Sequence, residues 1–212
     1  MTDDLIERLA ADLKPVPRYA MQRLLLCAAF AGIVLSVILM LLWLGPRPDL
    51  GGAMRDSIFW IKFIYTAALG ALGLPAVLAL SRPGGRTVWP WFGVLGVLCA
   101  LAAAAWVQLA SAPPALAHEL VFGATSLMCP FLIVAASAPV LAAVLGVMRR
   151  MAPTRPALAG LAAGLFSGGM GASVYSLHCT EIGLVFLLTW YSFGILTASA
   201  LGAVLGKVIL RW

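Results

Sequence analysis

Six long apolar stretches make up most of this 212-residue sequence, and they constrain its fold more than any other feature. A helix needs about 20 predominantly apolar residues to cross the hydrocarbon core of a bilayer. Pro, Gly and charged residues separate the stretches, as expected where such helices end. The six predicted spans are residues 24–44, 58–80, 88–111, 126–148, 157–176 and 183–205. We therefore predict an all-α polytopic membrane protein, folded as a bundle of six transmembrane helices.

Composition agrees with a membrane protein and argues against a nucleic-acid-binding one. Hydrophobic residues make up 63% of the chain and charged residues only 10%, whereas soluble domains carry about 25% charged residues. In a soluble chain the net charge of +6 would suggest an anionic partner such as nucleic acid. In a membrane protein, basic loops mostly report orientation. We therefore expect the lipid bilayer as the environment and no direct contact with nucleic acid.

The distribution of Lys and Arg predicts the orientation of the bundle. Alternate loops on one side are basic, whereas the opposite loops hold only Arg47 and Arg55. Basic loops stay in the cytoplasm, so both termini are predicted to be cytoplasmic. The residues on the basic side are Arg8, Lys14, Arg18, Arg23, Arg82, Arg86, Arg149, Arg150, Arg155, Lys207 and Arg211.

Two of the four cysteines are expected at the outer surface of this bundle. Cys179 follows the fifth span, and Cys129 lies about one turn inside the outer end of the fourth. Because adjacent spans are antiparallel, both occupy the same depth, where helix packing can bring them together. Cys27 and Cys99 lie elsewhere in the membrane and are expected to be buried thiols. No C-x-x-C pair occurs, so spacing alone implies no metal site.

Small residues in the fifth span predict close helix packing. Gly160, Gly164 and Gly168 recur every four residues on one face, and Gly202 and Gly206 repeat the pattern in the sixth span. Such faces let two backbones approach closely in lipid, where association depends on van der Waals contact. We expect the stripe to pack inside the bundle. A homodimer seam is the alternative.

Two residues near span ends are predicted at the membrane interface. Lys62 lies near the outer end of the second span, where a lysine can snorkel its ammonium group to the headgroups. A buried functional ion pair is the alternative for Lys62. Tyr191, beside Trp190 in the sixth span, is expected to be an interfacial anchor.

The N-terminal polar segment reads as a short amphipathic helix. Its apolar stripe lies opposite an acidic face, and Pro15 and Pro17 end it. The polar face of this predicted helix carries few basic residues that could bind lipid headgroups. Docking in a protein groove is therefore favoured over lying on the membrane. A disordered leader is a third alternative. The residues predicted to bind a partner are Asp3, Asp4, Leu5, Ile6, Leu9, Asp12 and Leu13.

Several motifs together resemble a family of bacterial regulators. DDLIERLAADLKPVPR, SLMCPF, APTRPALAGLAAGLFSGGMGA, and YSLHCTE followed by TWYSFG are similar to NrsF-like six-span membrane anti-sigma factors. This resemblance implies a bacterial inner-membrane protein whose cytoplasmic N-terminal segment holds an extracytoplasmic-function sigma factor and releases it on stress. It implies a sigma-binding segment at residues 1–23, a transmembrane sensor at 24–206 and a cytoplasmic tail at 207–212.

The resemblance also implies metal sensing by outer cysteines. Carried over by position, the sensing pair is Cys129 and Cys179, with His178 and Glu181 as further candidate ligands. Thiolates favour Cu(I), Zn or Cd, and the thioethers of Met128 and Met170 would favour Cu(I) if they point inward. Copper is therefore the expected regulatory metal, with zinc or cadmium as alternatives, and no obligatory cofactor is expected.

Other interpretations of the outer residues stay open. A disulfide is the alternative role of the cysteine pair, because the periplasm is oxidising. Glu181 is alternatively a helix cap or a partner of Lys62.

Two rival functions have less support in the sequence. A membrane thiol oxidoreductase acting on a quinone would use Cys129 and Cys179, but such enzymes typically show C-x-x-C spacing, which is missing here. A transporter would mark its path with ionisable residues inside the spans, and the spans hold only Lys62, near one end. We therefore expect a regulator and not an enzyme.

Overall fold

The computed structural model describes residues 19–211 of the chain. Its helices are α1 Ala20–Trp43, α2 Leu50–Ala53, α3 Ser57–Leu80, α4 Trp89–Ser111, α5 Pro114–Phe122, α6 Met128–Met148, α7 Pro156–Ser176 and α8 Leu184–Ile209. All except the short α2 and α5 are long and apolar enough to cross a membrane. The six predicted spans are confirmed, each to within about one helical turn.

Local sequence explains where several of these helices begin. The Asp56 carboxylate accepts a hydrogen bond from the Ile58 backbone N–H at 3.1 Å and so caps the start of α3. Proline occupies the first turn of α4, α5 and α7, where its missing N–H costs no helical hydrogen bond. The Asp and Pro residues in the breaks between apolar stretches therefore mark where these helices begin.

Helix α7 lies at the centre of the bundle and packs against α3, α6 and α8. A Cβ atom added at Gly160 would meet the backbone of Gly202 and Gly206 on α8, and one at Gly164 would meet Ala198 and Ser199. The expected packing of the glycine stripe inside the bundle is confirmed. That stripe is therefore occupied by α8 and is not a free seam for a second copy.

Helices α1 and α4 lie at the periphery. Large apolar side chains on these helices are exposed, for example Phe30 on α1 at 69% and Trp106 on α4 at 73%. Such exposed apolar surface is expected where a helix contacts lipid. Cys27 and Cys99 lie on these two helices and are exposed. The expectation that both thiols are buried is wrong, because a span that is apolar on all sides gives no indication of which face meets its neighbours.

The loops divide the bundle into two ends of opposite character. We call one the basic end, made of residue 19, residues 81–88, 149–155 and 210–211. The other, the cysteine end, comprises residues 44–56, 112–127 and 177–183. Within the described range of 19–211, every carboxylate side chain lies at the cysteine end: Asp49, Asp56, Glu119 and Glu181.

Candidate functional site

Cys129 and Cys179 lie in one buried cluster at the cysteine end. Cys129 is in the first turn of α6, where its backbone N–H donates to the Thr125 carbonyl at 2.9 Å. Cys179 follows the end of α7, and its N–H donates to the Tyr175 carbonyl at 3.1 Å. The two side chains are 0% and 3% exposed, and both are free thiols. The structure therefore brings the two predicted sensing residues into the same core cluster.

Two tyrosines complete the surroundings of the thiols. The rings of Tyr175 and Tyr191 lie with their centroids 5.8 Å apart, in the cluster that holds both cysteines. Tyr191 is 0% exposed, and its hydroxyl has no hydrogen-bond partner among residues 19–211. The prediction that Tyr191 anchors the chain at the membrane interface is wrong, because its ring faces the centre of the bundle.

A π-helical turn in α8 carries Tyr191. Residues Leu187–Tyr191 form this turn between two α-helical segments. Such turns are rare, and they occur frequently at functional sites because the extra residue redirects nearby side chains. The apolar pattern of the sixth span contains no signal for it. The sequence analysis did not predict the π turn, nor that Tyr175 and Tyr191 are buried beside the thiols.

Lys62 connects α3 to the loop that carries Cys179. Its ammonium group donates to the backbone carbonyls of Cys179 at 3.2 Å and Glu181 at 2.6 Å, and lies 5.7 Å from the centroid of the Tyr191 ring. The side chain is only 4% exposed. The prediction that Lys62 snorkels to the interface is therefore wrong. Its partners are carbonyl dipoles and an aromatic face, which together offset part of the cost of burying the charge.

Glu181 and His178 anchor the same loop to its neighbours. One carboxylate oxygen of Glu181 accepts from the Ala124 N–H at 2.9 Å, the Thr125 N–H at 3.1 Å and the Thr125 hydroxyl at 2.9 Å. The Nδ1 of His178 lies 2.9 Å from the Gly45 carbonyl oxygen, and because a carbonyl only accepts, Nδ1 carries the proton. Both side chains thus hold residues 177–183 against the segments before α6 and after α1.

A surface ion pair lies beside this loop. Arg47 donates two hydrogen bonds of 2.7 Å to the Asp49 carboxylate, and the guanidinium holds the pKa of that carboxyl below its usual range. The backbone N–H of Arg47 donates to the Leu177 carbonyl at 3.1 Å. The segment after α1 is therefore tied to the end of α7 at two points, through Arg47 and through Gly45.

The two thiols supply fewer protein ligands than a structural zinc site uses. Among residues 19–211, no three His, Cys, Asp or Glu side chains are grouped to hold a metal ion. Structural zinc sites normally use four ligands, and thiolate ligands favour Cu(I), Zn and Fe–S clusters. A metal site at Cys129 and Cys179 stays a prediction. A ligand role for His178 or Glu181 stays a prediction, and it requires each side chain to leave the bonds described above.

Neither predicted thioether joins the thiol pair. Met128 is 64% exposed, and Met170 packs beside the other core cluster of the bundle, near Gly70 of α3. The structure therefore gives these two methionines no place beside Cys129 and Cys179.

Comparison with known proteins decides the family. A family model described as "Negative regulator of sigma F" matches residues 9–212. The chain belongs to the NrsF family. This agrees with the resemblance drawn from the motifs, and it covers the site residues on α6, α7 and α8.

Two relatives in the NrsF family match along their whole length. "Anti-sigma-F factor NrsF" of Caulobacter vibrioides (strain NA1000 / CB15N) is 44% identical over 212 residues, covering 100% of this chain and 99% of the relative. "Probable anti-sigma-F factor NrsF" of Azospira oryzae (strain ATCC BAA-33 / DSM 13638 / PS) is 46% identical over 213 residues, with the same coverage. No solved structure matches this chain.

The predicted partner-binding segment lies outside the described residues. Its members precede Tyr19, where the described range begins, so the predicted helix at residues 3–13 stays a prediction.

Proposed function

We propose that this chain is an inner-membrane anti-sigma factor that holds an extracytoplasmic-function sigma factor and releases it when its thiol pair reacts. The observation that carries the proposal is the end-to-end similarity, at 44% and 46% identity, to two proteins named as anti-sigma-F factors. The same similarity supports a regulatory role, which we propose is not accompanied by catalysis. The partner proposed for this chain is accordingly a sigma factor of the sigma-F kind.

Sequestration is assigned to the N-terminal segment. In a helix, Leu5, Leu9 and Leu13 would form an apolar stripe backed by Asp3, Asp4 and Asp12, and such a stripe would suit docking in a groove of the partner. The segment leads directly into α1 at the basic end. By the positive-inside rule that end is proposed to face the cytoplasm, where the sigma factor is found.

Release is assigned to Cys129 and Cys179 at the opposite end. Both thiols are buried. A cavity of about 160 Å³ lies beside Lys62 and Glu181, and neither Cys129 nor Cys179 lines it. We propose that a metal ion or oxidant reaches the pair when the loop of residues 177–183 moves. The bonds of Lys62, His178 and Glu181 to their neighbours resist that movement and keep the unreacted state closed.

Reaction at the thiols is coupled to the rest of the bundle through α7. Cys129 and Cys179 would hold Cu(I) as thiolates, and the bound ion would supply a cross-link between the start of α6 and the end of α7. Because α7 packs against α3, α6 and α8, its movement cannot be confined to one end. A ligand that prefers one of two arrangements by about 1 to 3 kcal/mol changes partner affinity several-fold or more.

Oxidation is the alternative trigger at the same pair. Forming a disulfide removes two electrons and two protons from the thiols, which an external disulfide or quinone would accept. Either trigger would join α6 to α7. They are distinguished by whether release requires added metal or only an oxidant, and by whether a cysteine cross-link appears in non-reducing electrophoresis after alkylation.

The proposal is tested by co-purification of the sigma factor with detergent-extracted protein. Deleting residues 1–14, or changing Leu5→Asp and Leu9→Asp together, is expected to abolish co-purification while membrane insertion stays normal. Val88→Asp, which puts an acidic side chain on an exposed residue just before α4, serves as a control that should retain the partner. Retention of the sigma factor by the double N-terminal variant would contradict the assignment.

A further inference from the structure

A groove runs along the outside of the bundle between α6 and α8. It encloses a cavity volume of about 800 Å³. Ala138, Ala142 and Gly146 form one wall at intervals of four residues, so that side of the groove is shallow and smooth. Exposed apolar side chains on α8, such as Leu201 and Val204, form the other wall.

The groove ends at two arginines. Arg149 and Arg150 follow directly on α6, both are exposed, and both line the groove at the basic end. Within residues 19–211, all of the carboxylate side chains lie at the other end of the bundle. The groove therefore combines an apolar channel with a positive charge at one end.

We propose that this groove binds an anionic phospholipid, with its phosphate on Arg149 and Arg150 and one acyl chain against Ala138, Ala142 and Gly146. A guanidinium binds phosphate oxygens through paired hydrogen bonds, and basic pockets between transmembrane helices accept acidic headgroups. From Ala138 to Arg150 the helix rises about 18 Å at 1.5 Å per residue. This length matches one leaflet, which is half of a hydrocarbon core roughly 30 Å thick.

Charge favours a lipid over a second copy of the chain in this groove. A twofold dimer in a membrane places the same end of both copies on the same side. A seam along this groove would therefore bring Arg149 and Arg150 of both copies together, and like charges in close contact oppose association. An anionic headgroup neutralises the same arginines. This proposal does not depend on how the thiols act.

Native mass spectrometry of the full chain in detergent tests the proposal, with dioleoyl phosphatidylglycerol and dioleoyl phosphatidylcholine as probes. We expect phosphatidylglycerol to bind more tightly. Arg149→Gln and Arg150→Gln should each weaken its binding about fivefold, since one basic residue contributes roughly 1 kcal/mol. Equal affinity for the two lipids, or no loss in either arginine variant, would overturn the proposal.

A groove-filling variant tests the apolar part without touching the charge. A Cβ atom at Gly146 meets nothing within 4 Å, so Gly146→Leu occupies the groove without disturbing the bundle. Gly96 on α4 has the same open space, and Gly96→Leu is the matched control. We expect Gly146→Leu to lower phosphatidylglycerol binding and Gly96→Leu to leave it unchanged. A dimer that only Gly146→Leu dissociates, with no lipid selectivity, would assign the groove to a second copy instead.

Discussion

The ammonium group of Lys62, a side chain that is only 4% exposed, donates a 2.6 Å hydrogen bond to the backbone carbonyl of Glu181. A second bond of 3.2 Å reaches the Cys179 carbonyl. A buried charge is retained only when its partners are well placed, and removing one partner leaves unpaired polar groups. Lys62 of α3 thus holds the loop that carries Cys179, one of the two proposed sensing thiols.

Replacing Lys62 should loosen this loop. In Lys62→Met the carbonyls of Cys179 and Glu181 lose their donor, and hydrogen bonds to charged groups contribute about 1.5 to 3 kcal/mol. We expect maleimide to label Cys179 about tenfold faster, because local opening becomes easier. The measurement uses a background of Cys27→Ser, Cys99→Ser and Cys129→Ser, in which Cys179 is the remaining thiol. Lys207→Met, an exposed change in the last turn of α8, is the control. Equal labelling in Lys62→Met and the background would contradict a holding role.

Two variants of Glu181 distinguish a role in anchoring the loop from a role as a metal ligand. Its carboxylate accepts three hydrogen bonds from Ala124 and Thr125, which Glu181→Ala removes and Glu181→Gln preserves in part. We expect Glu181→Ala to lower the free energy of unfolding by about 1 to 2 kcal/mol, and Glu181→Gln by less. Thermal unfolding in detergent measures this difference. Cu(I) affinity should be unchanged in Glu181→Gln, and a large loss of that affinity would make Glu181 a ligand.

The contact between Gly160 and Gly202 should tolerate no side chain. Gly160→Ala places a Cβ atom against the backbone of Gly202 and Gly206, and overpacking of this kind costs roughly 1 to 3 kcal/mol. Gly96→Ala adds the same atom in open space and should leave stability unchanged or slightly raised. Both variants are compared by thermal unfolding in the same detergent. Equal melting temperatures would show that α7 and α8 are not in close contact.

The spans and the glycine packing were predictable because each rests on a local pattern. Apolar length determines where a helix crosses a bilayer, and glycines every four residues create a smooth face whatever helix it meets. The position of Cys129 and Cys179 at one end also follows from counting antiparallel spans. These features need no knowledge of which helices are neighbours.

The wrong predictions concern side chains whose role depends on a neighbouring helix. Lys62 near a span end looks identical in sequence whether it snorkels or turns inward to the carbonyls of Cys179 and Glu181. Tyr191 ends a π turn in α8 and is buried in the cluster that holds the thiols. Cys27 and Cys99 are exposed because α1 and α4 happen to be peripheral. No apolar periodicity distinguishes these cases, since lipid and protein interiors are equally apolar.

Release of the sigma factor from the Cys129→Ser, Cys179→Ser double variant is the most direct measurement. Membranes carrying the variant and its bound sigma factor are challenged with copper, zinc and cadmium, and the free sigma factor is quantified. We predict that the variant still sequesters the sigma factor but no longer releases it, whereas Cys27→Ser, Cys99→Ser behaves as the unmodified chain. Release from the double variant at the same metal concentrations as from the unmodified chain would contradict the thiol pair as the sensor.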